Sequence, residues 1–89
     1  MNSYHQIENI KFEDDILYIM IDGKKYSFQI EDISKRLLQA TELERNSYII
    51  SPSGYGIHWP IIDEDLSIDG LLGIKHSPTK KIHKISINS

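Results

Sequence analysis

Cysteine is absent from the sequence. A disulfide framework, a thiolate nucleophile and a cysteine-ligated zinc ion are therefore excluded. Small secreted domains commonly depend on such cross-links, so their absence favours a cytoplasmic protein. Long apolar runs are also missing, because none approaches the roughly 20 residues of a transmembrane helix. Residues 1–6 lack the basic and apolar regions of a signal peptide. We expect no membrane association.

The chain is also short, and its length limits what it can do. Its 89 residues are enough for one small domain. A chain of this size buries only about 60–65% of its unfolded surface, so its core is thin. This argues against a large enzyme with a deep cleft for two substrates.

Acidic residues are missing from the C-terminal end of the chain. All 13 lie at or before Asp69, so residues 1–74, with six Lys and Arg, have a formal charge of −7. Residues 75–89 contain four lysines and no acid. We therefore predict one domain over residues 1–74 and a basic, mobile tail over residues 75–89. Because an acidic domain repels phosphate, we expect no broad binding of nucleic acid by the folded part.

The first half of the chain predicts a three-stranded antiparallel meander over residues 6–12, 16–21 and 25–30. Asp22-Gly23 is a strong hairpin signal, because a type I′ turn needs two positive φ angles. Tight turns there and at residues 14–15 set a register that pairs Ile10 with Ile19. One face is then apolar and forms the expected core: Ile10, Phe12, Leu17, Ile19, Tyr26 and Phe28. The other face is apolar only on its middle strand, at Ile16, Tyr18 and Met20, and needs a cover.

The second half predicts a helix over residues 33–45, then strands at 48–51 and 55–59, and a short helix over 66–72. The apolar stripe of the first helix consists of Ile33, Leu37, Leu38, Thr41 and Leu43. Pro60 ends the second strand because it cannot donate to a sheet. The expected fold is α+β, in the order β-β-β-α-β-β-α.

Two stretches, Gly56-Ile57-His58-Trp59-Pro60 and Asp63-Glu64-Asp65-Leu66-Ser67, resemble a bacterial family known as domain of unknown function 2442. The resemblance covers about residues 7–74. It implies an α+β fold and no assigned catalysis. Some members precede a helix-turn-helix domain that binds DNA. The 15 residues after Ile74 leave no room for one, so we expect no direct sequence-specific binding of nucleic acid. Other members stand alone and are encoded beside a second small protein, in an arrangement that looks like a toxin–antitoxin pair.

Polar residues near the second hairpin are the chemical candidates. Asp63, Asp65, Ser67 and Asp69 alternate as in a calcium loop, but Ile68 and Ile74 stand where an EF-hand needs glycine and a carboxylate. His58 with a neighbouring acid is a candidate acid–base pair, and with His5 or His76 a candidate metal site. Catalysis also needs a nucleophile or substrate pocket, and no nucleophile elbow or phosphate-binding loop is present. We expect no catalytic residue, no metal and no cofactor.

Taken together, these patterns predict a non-enzymatic protein-interaction module. Its partner is expected to be another small protein, basic in charge, and the resemblance implies that this chain is antitoxin-like and holds a toxin-like neighbour inactive. The candidate partner-binding residues form an aromatic and acidic set: Tyr55, His58, Trp59, Asp63, Glu64 and Asp65. Trp59 suits either a core position or an exposed interface. Two alternatives stay open: a regulatory or ligand-sensing module associated with transcription control, and a homodimer that buries Ile16, Tyr18 and Met20.

Overall fold

A computed structural model describes residues 5–75 and places them in two small antiparallel sheets and four short helices. The first sheet has the order β1 (Ile7–Glu13), β2 (Ile16–Ile21) and β3 (Lys24–Gln29). It is followed by α1 (Ile30–Ile33), α2 (Lys35–Leu38) and α3 (Glu42–Asn46). The second sheet has the order β4 (Ile49–Ile50), β5 (Gly56–Trp59) and β6 (Glu64–Ser67), and α4 (Ile68–Lys75) comes last. The predicted α+β class and the first meander are confirmed.

The two turns of the first sheet follow the sequence signals. Asp14 and Asp15 have φ of 49° and 60°, and Asp22 and Gly23 have φ of 51° and 83°. Paired positive angles match the right-handed twist of the flanking strands. The predicted pairing of Leu17 with Phe28 is confirmed in the resulting register.

The predicted pairing of Ile10 with Ile19 is wrong, because β1 contains a bulge. Glu8 pairs with Met20 and Lys11 with Tyr18, so two residues of β1 stand opposite one residue of β2. Asn9 supplies the extra residue at a φ of 51°, a conformation that asparagine tolerates. The bulge brings Ile7 onto the core face together with Ile10.

The single helix predicted over residues 33–45 is wrong and is replaced by three short helices. Ser34 is extended, with a φ of −165°, and its hydroxyl accepts the backbone N–H of Leu37 at the start of α2. Thr41 begins α3 with a capping box to Glu44. Both residues prefer the capping position to a helix interior. Leu43, predicted in the apolar stripe, is 73% exposed.

The segment after Pro60 also differs from the prediction. Residues 64–67 form β6 instead of leading into a helix, and the final helix begins at Ile68 instead of Leu66. The strand forms because Asp65 and Leu66 pair with β5, which a sequence window cannot reveal. Helix α4 reaches Lys75, the first residue of the predicted tail. The rest of that tail lies outside the described residues.

The core lies between the inner faces of the two sheets and the helices. It consists of Leu17, Ile19, Ile21, Phe28, Ile30, Leu37, Ile57, Trp59, Ile68 and Leu71. Trp59 joins the two sheets, because its ring meets that of Phe12 edge-on at a centroid distance of 6.4 Å. Between residues 5 and 75 no helix has the length and apolar character to cross a membrane. The thin core leaves the outer faces of both sheets open to solvent.

Candidate functional site

An open groove of about 620 Å³ runs along the outer face of the second sheet. The register of the three strands brings its residues together, because His58 on the central strand pairs with Ile49 on one side and with Asp65 on the other. Residues that face each other across antiparallel strands share one face of the sheet. The residues that carry the site are Ile49, Ser51, Tyr55, His58, Asp65 and Ser67.

The apolar part of the groove is exposed to solvent. Ile49 and Tyr55 are each 56% exposed and belong to the six large hydrophobic residues that are exposed between residues 5 and 75. Single exposed apolar residues are ordinary, but two that line the same concavity form a patch. Tyrosine adds a hydroxyl to a large apolar ring, a combination enriched at protein interfaces.

The polar part of the groove is a hydrogen-bonded pair of side chains. His58 Nδ1 lies 2.8 Å from Asp65 Oδ1, and their side chains are 41% and 75% exposed. The hydrogen bond orients the imidazole and leaves Nε2 for a second hydrogen bond to a ligand. Because the pair is solvent-exposed, it adds little to stability. Its exposure suits recognition of a polar or charged group.

The floor of the groove is shaped by close backbone approach. A Cβ at Gly56 would lie 2.9 Å from the carbonyl oxygen of Leu66, so glycine lets the two strands meet there. The Ser51 hydroxyl accepts backbone N–H groups from Tyr55 at 2.9 Å and Gly56 at 3.1 Å. These bonds fix the turn that presents Tyr55.

The six candidate residues do not form one surface. Tyr55, His58 and Asp65 line the groove. Trp59 is fully buried, so it belongs to the core. Glu64 is the strand partner of Trp59. Its carboxylate accepts a hydrogen bond from the Ser34 hydroxyl at 2.5 Å and is therefore directed toward α2.

Asp63, the sixth candidate, lies in the turn between β5 and β6. It has a φ of 53°, and its carbonyl accepts a hydrogen bond from Arg36 at 2.9 Å. Arg36 also donates to the carbonyl of Ile62 and so ties this turn to α2. Asp63 is exposed and is not among the lining residues of the groove.

Sequence reasoning missed Ile49, Ser51 and Ser67. Ile49 was part of a predicted strand, but its face could not be assigned without the register of β4 on β5. Ser67 was predicted to lie within the following helix. In the structure it is the last residue of β6, and its hydroxyl caps α4 by accepting a hydrogen bond from the N–H of Gly70. The alternation of Asp65 and Ser67 with apolar Leu66 and Ile68 was the signal for β6.

The polar residues considered for a metal site have separate partners. Asp65 pairs with His58, whereas Asp69 binds His5. His5 uses both ring nitrogens on acids other than Asp65. In the described part of the chain no group of three or more His, Asp or Glu has an arrangement suited to a metal ion. His76 lies outside that part.

Comparison with known proteins agrees with this fold. The model of a family described as a protein of unknown function, DUF2442, matches residues 7–77, and the chain belongs to that family. A crystal structure of a protein of unknown function from Rhodospirillum rubrum ATCC 11170 is similar, with a TM-score of 0.62 and 20% identity. The alignment covers 80% of this chain and 88% of that chain, and at this identity it supports the fold alone. No curated protein matches the chain.

Proposed function

We propose that this member of the DUF2442 family is a non-enzymatic protein-interaction module that binds its partner in the groove of the second sheet. One observation carries the proposal: exposed Ile49 and Tyr55 line the same groove as the hydrogen-bonded His58 and Asp65 side chains. Interfaces combine an apolar centre with polar groups at the rim, and this groove offers both. Its rigid strands would let a partner bind without a large ordering cost.

A basic partner fits the charge of the domain. Residues 5–75 contain 13 acidic and seven basic residues, and the exposed Asp65 lines the groove. An excess of negative charge attracts a basic protein from a distance and raises its association rate. Asp65 would then meet a lysine or arginine of the partner directly.

The open shape of the groove favours a protein segment over a small metabolite. Small-molecule sites enclose most of their ligand. This groove is a shallow concavity on a three-stranded sheet, and its walls are the exposed side chains of Ile49 and Tyr55. The ligand-sensing role associated with transcription control is therefore the second candidate.

The sharper form of the proposal is antitoxin-like. This chain resembles a family in which members are encoded beside another small protein, so the first partner to test is a small basic protein encoded next to it. The chain would bind that protein in the groove and keep it inactive. Co-expression should then relieve a growth defect caused by the neighbour alone.

Co-purification at native expression level tests the binding proposal. We expect one small protein to be recovered at near-equal stoichiometry with the wild-type chain. The double variant Ile49→Ala/Tyr55→Ala should reduce that recovery about tenfold or more, which corresponds to about 1.4 kcal/mol of binding energy. Leu43→Ala is the matched control, because Leu43 is apolar and exposed but lies on α3. Equal recovery with the folded double variant would overturn the site.

A further inference from the structure

His5 is bound to two acids that come from different parts of the chain. Its Nδ1 lies 2.7 Å from Asp22 Oδ2, in the turn between β2 and β3. Its Nε2 lies 2.9 Å from Asp69 Oδ1, in the first turn of α4. The His5 side chain is 15% exposed, whereas the two carboxylates are 50% and 66% exposed. We call this set, His5, Asp22 and Asp69, the His5 bridge.

The geometry of the His5 bridge favours a protonated imidazole. A neutral imidazole has one N–H, so one of its nitrogens would direct a lone pair at a carboxylate oxygen. Two charge-assisted hydrogen bonds form only when both nitrogens carry protons. The hydrogen bonds that His5 donates to Asp22 and Asp69 accordingly raise the pKa of His5 above 6.5, against the opposing effect of burial. The hydrogen bond from His5, with a backbone N–H from Gln6, lowers the pKa of Asp22.

His5 also packs against the turn that presents Tyr55. The backbone N–H of His5 donates a hydrogen bond to the backbone carbonyl of Ser53 at 3.2 Å. Gly54 has a φ of +69°, and a Cβ there would lie 1.8 Å from the carbonyl oxygen of His5. Gly54 is buried and directly precedes Tyr55 in the chain. The position of His5 therefore limits where one wall of the groove can lie.

Helix α4 connects the other end of the bridge to the same wall. The backbone N–H of Ile68 donates to the carbonyl of Tyr55 at 2.9 Å, and Asp69 follows Ile68 directly. The segment that contains Tyr55 is thus held by two backbone hydrogen bonds, one from His5 to Ser53 and one from Ile68 to Tyr55. The hydrogen bond between His5 and Asp69 links these two points of attachment through the titratable imidazole ring.

We propose that the His5 bridge is a pH-sensitive device that keeps the segment 53–55, and with it the groove, in its binding form. Below the pKa of His5 both bonds form and the segment is fixed. Above it, neutral His5 keeps one bond and loses the other, so the segment gains motion and the groove loses a defined wall. The link to partner binding rests on the proposed function, whereas the link between His5 and the segment does not.

Among residues 5–75, few ionisable groups face His5. The β2–β3 turn contributes Asp22, and α4 contributes Asp69. The turn at residues 52–54 and the adjoining residue 6 carry no ionisable side chain. Within the described residues, Asp22 and Asp69 are the charged groups that act on the His5 pKa. The transition should therefore follow one proton.

An NMR titration of the full chain without a partner tests this inference. We expect the amide signals of Ser53, Gly54 and Tyr55 to shift, and their hydrogen exchange to speed up, with the same midpoint as the His5 ring protons and above pH 6.5. Asp69→Asn keeps the shape but removes one charge, so both midpoints should fall together. His58→Gln is the control and should leave the transition unchanged.

Segment amides that stay constant while His5 titrates would overturn the inference. So would a His5 midpoint at or below 6.5, or an Asp69→Asn variant that moves the His5 midpoint without moving the segment. Because no partner is present, these failures leave the binding proposal standing. Conversely, loss of the co-purification result would leave a confirmed His5 transition intact. His5→Gln adds a further check, and Asp69→Asn suffices should His5→Gln not fold.

Discussion

The indole N–H of Trp59 donates a hydrogen bond to the backbone carbonyl of Arg45 at 2.9 Å, which joins the second sheet to the last turn of α3. The Arg45 guanidinium in turn donates to the carbonyls of Leu37 and Leu38 and to Asp15. This relationship satisfies the one polar group of a buried tryptophan. It explains why Trp59 is structural although the preceding residue, His58, lines the groove.

Trp59→Phe should destabilise the fold. The change shrinks a fully buried ring and leaves the Arg45 carbonyl without its indole donor. We expect the free energy of unfolding to fall by about 1–3 kcal/mol. Urea unfolding followed by circular dichroism measures this, with Leu43→Ala as an exposed control that should cost less than about 0.5 kcal/mol. Wild-type stability in Trp59→Phe would contradict the core assignment.

Ser34→Ala should cost more than an ordinary helix cap. The Ser34 hydroxyl accepts the N–H of Leu37 and donates to Glu64, and Ser34 is buried. The variant loses a cap and leaves the Glu64 carboxylate without this donor, so we expect a loss of roughly 1.5–3 kcal/mol. Thr41→Ala removes a cap at an exposed site and should cost about 1 kcal/mol. Equal unfolding midpoints in urea would show that the Ser34–Glu64 bond adds nothing.

Gly54→Ala should be far more harmful than Gly23→Ala. Both glycines have positive φ, +69° and +83°, so an added Cβ strains each by about 1–2 kcal/mol. At Gly23 the new methyl group meets nothing within 4 Å, whereas at Gly54 it meets the His5 backbone. The difference in unfolding free energy between the two variants should therefore exceed about 1 kcal/mol. Indistinguishable thermal unfolding of the two variants would argue against contact between His5 and Gly54.

The stability of the wild type should decline on both sides of a mildly acidic optimum. His5 has a raised pKa, so its contribution is complete below pH 6.5 and is lost as pH rises through the pKa of the folded state. Asp22 has a lowered pKa, so its contribution is present above pH 3.8 and is lost as pH falls below that value. Urea midpoints across this range should give a flatter profile on the alkaline side for His5→Gln. An identical profile in the variant would contradict the pKa assignment.

Local signals in the sequence predicted the first sheet well and the second sheet poorly. The paired positive angles at Asp22 and Gly23 fix a register that needs no distant information. Asn9, in contrast, gives no local sign that the strand bulges there. Strand β6 begins with two acids, which disfavour strands, and forms because it pairs with β5.

The groove depended on that missing strand, so only part of it could be predicted. His58 and Asp65 were both singled out, but their pairing at 2.8 Å follows from the register of β5 on β6. Trp59 was predicted in two opposite roles, because alternation cannot tell an inner from an outer sheet face until the packing is known. Ile49 was missed for the same reason, because its face of the sheet could not be assigned before the packing was known.

In-cell photo-crosslinking from position 55 tests the binding groove most directly. A photoreactive phenylalanine derivative in place of Tyr55 would lie within the groove, and the same derivative in place of Leu43 would lie on α3. The account predicts one dominant adduct with a small protein at position 55 and none at position 43. A folded chain that gives no adduct at position 55, or the same adducts at both positions, would contradict the groove as the partner-binding surface.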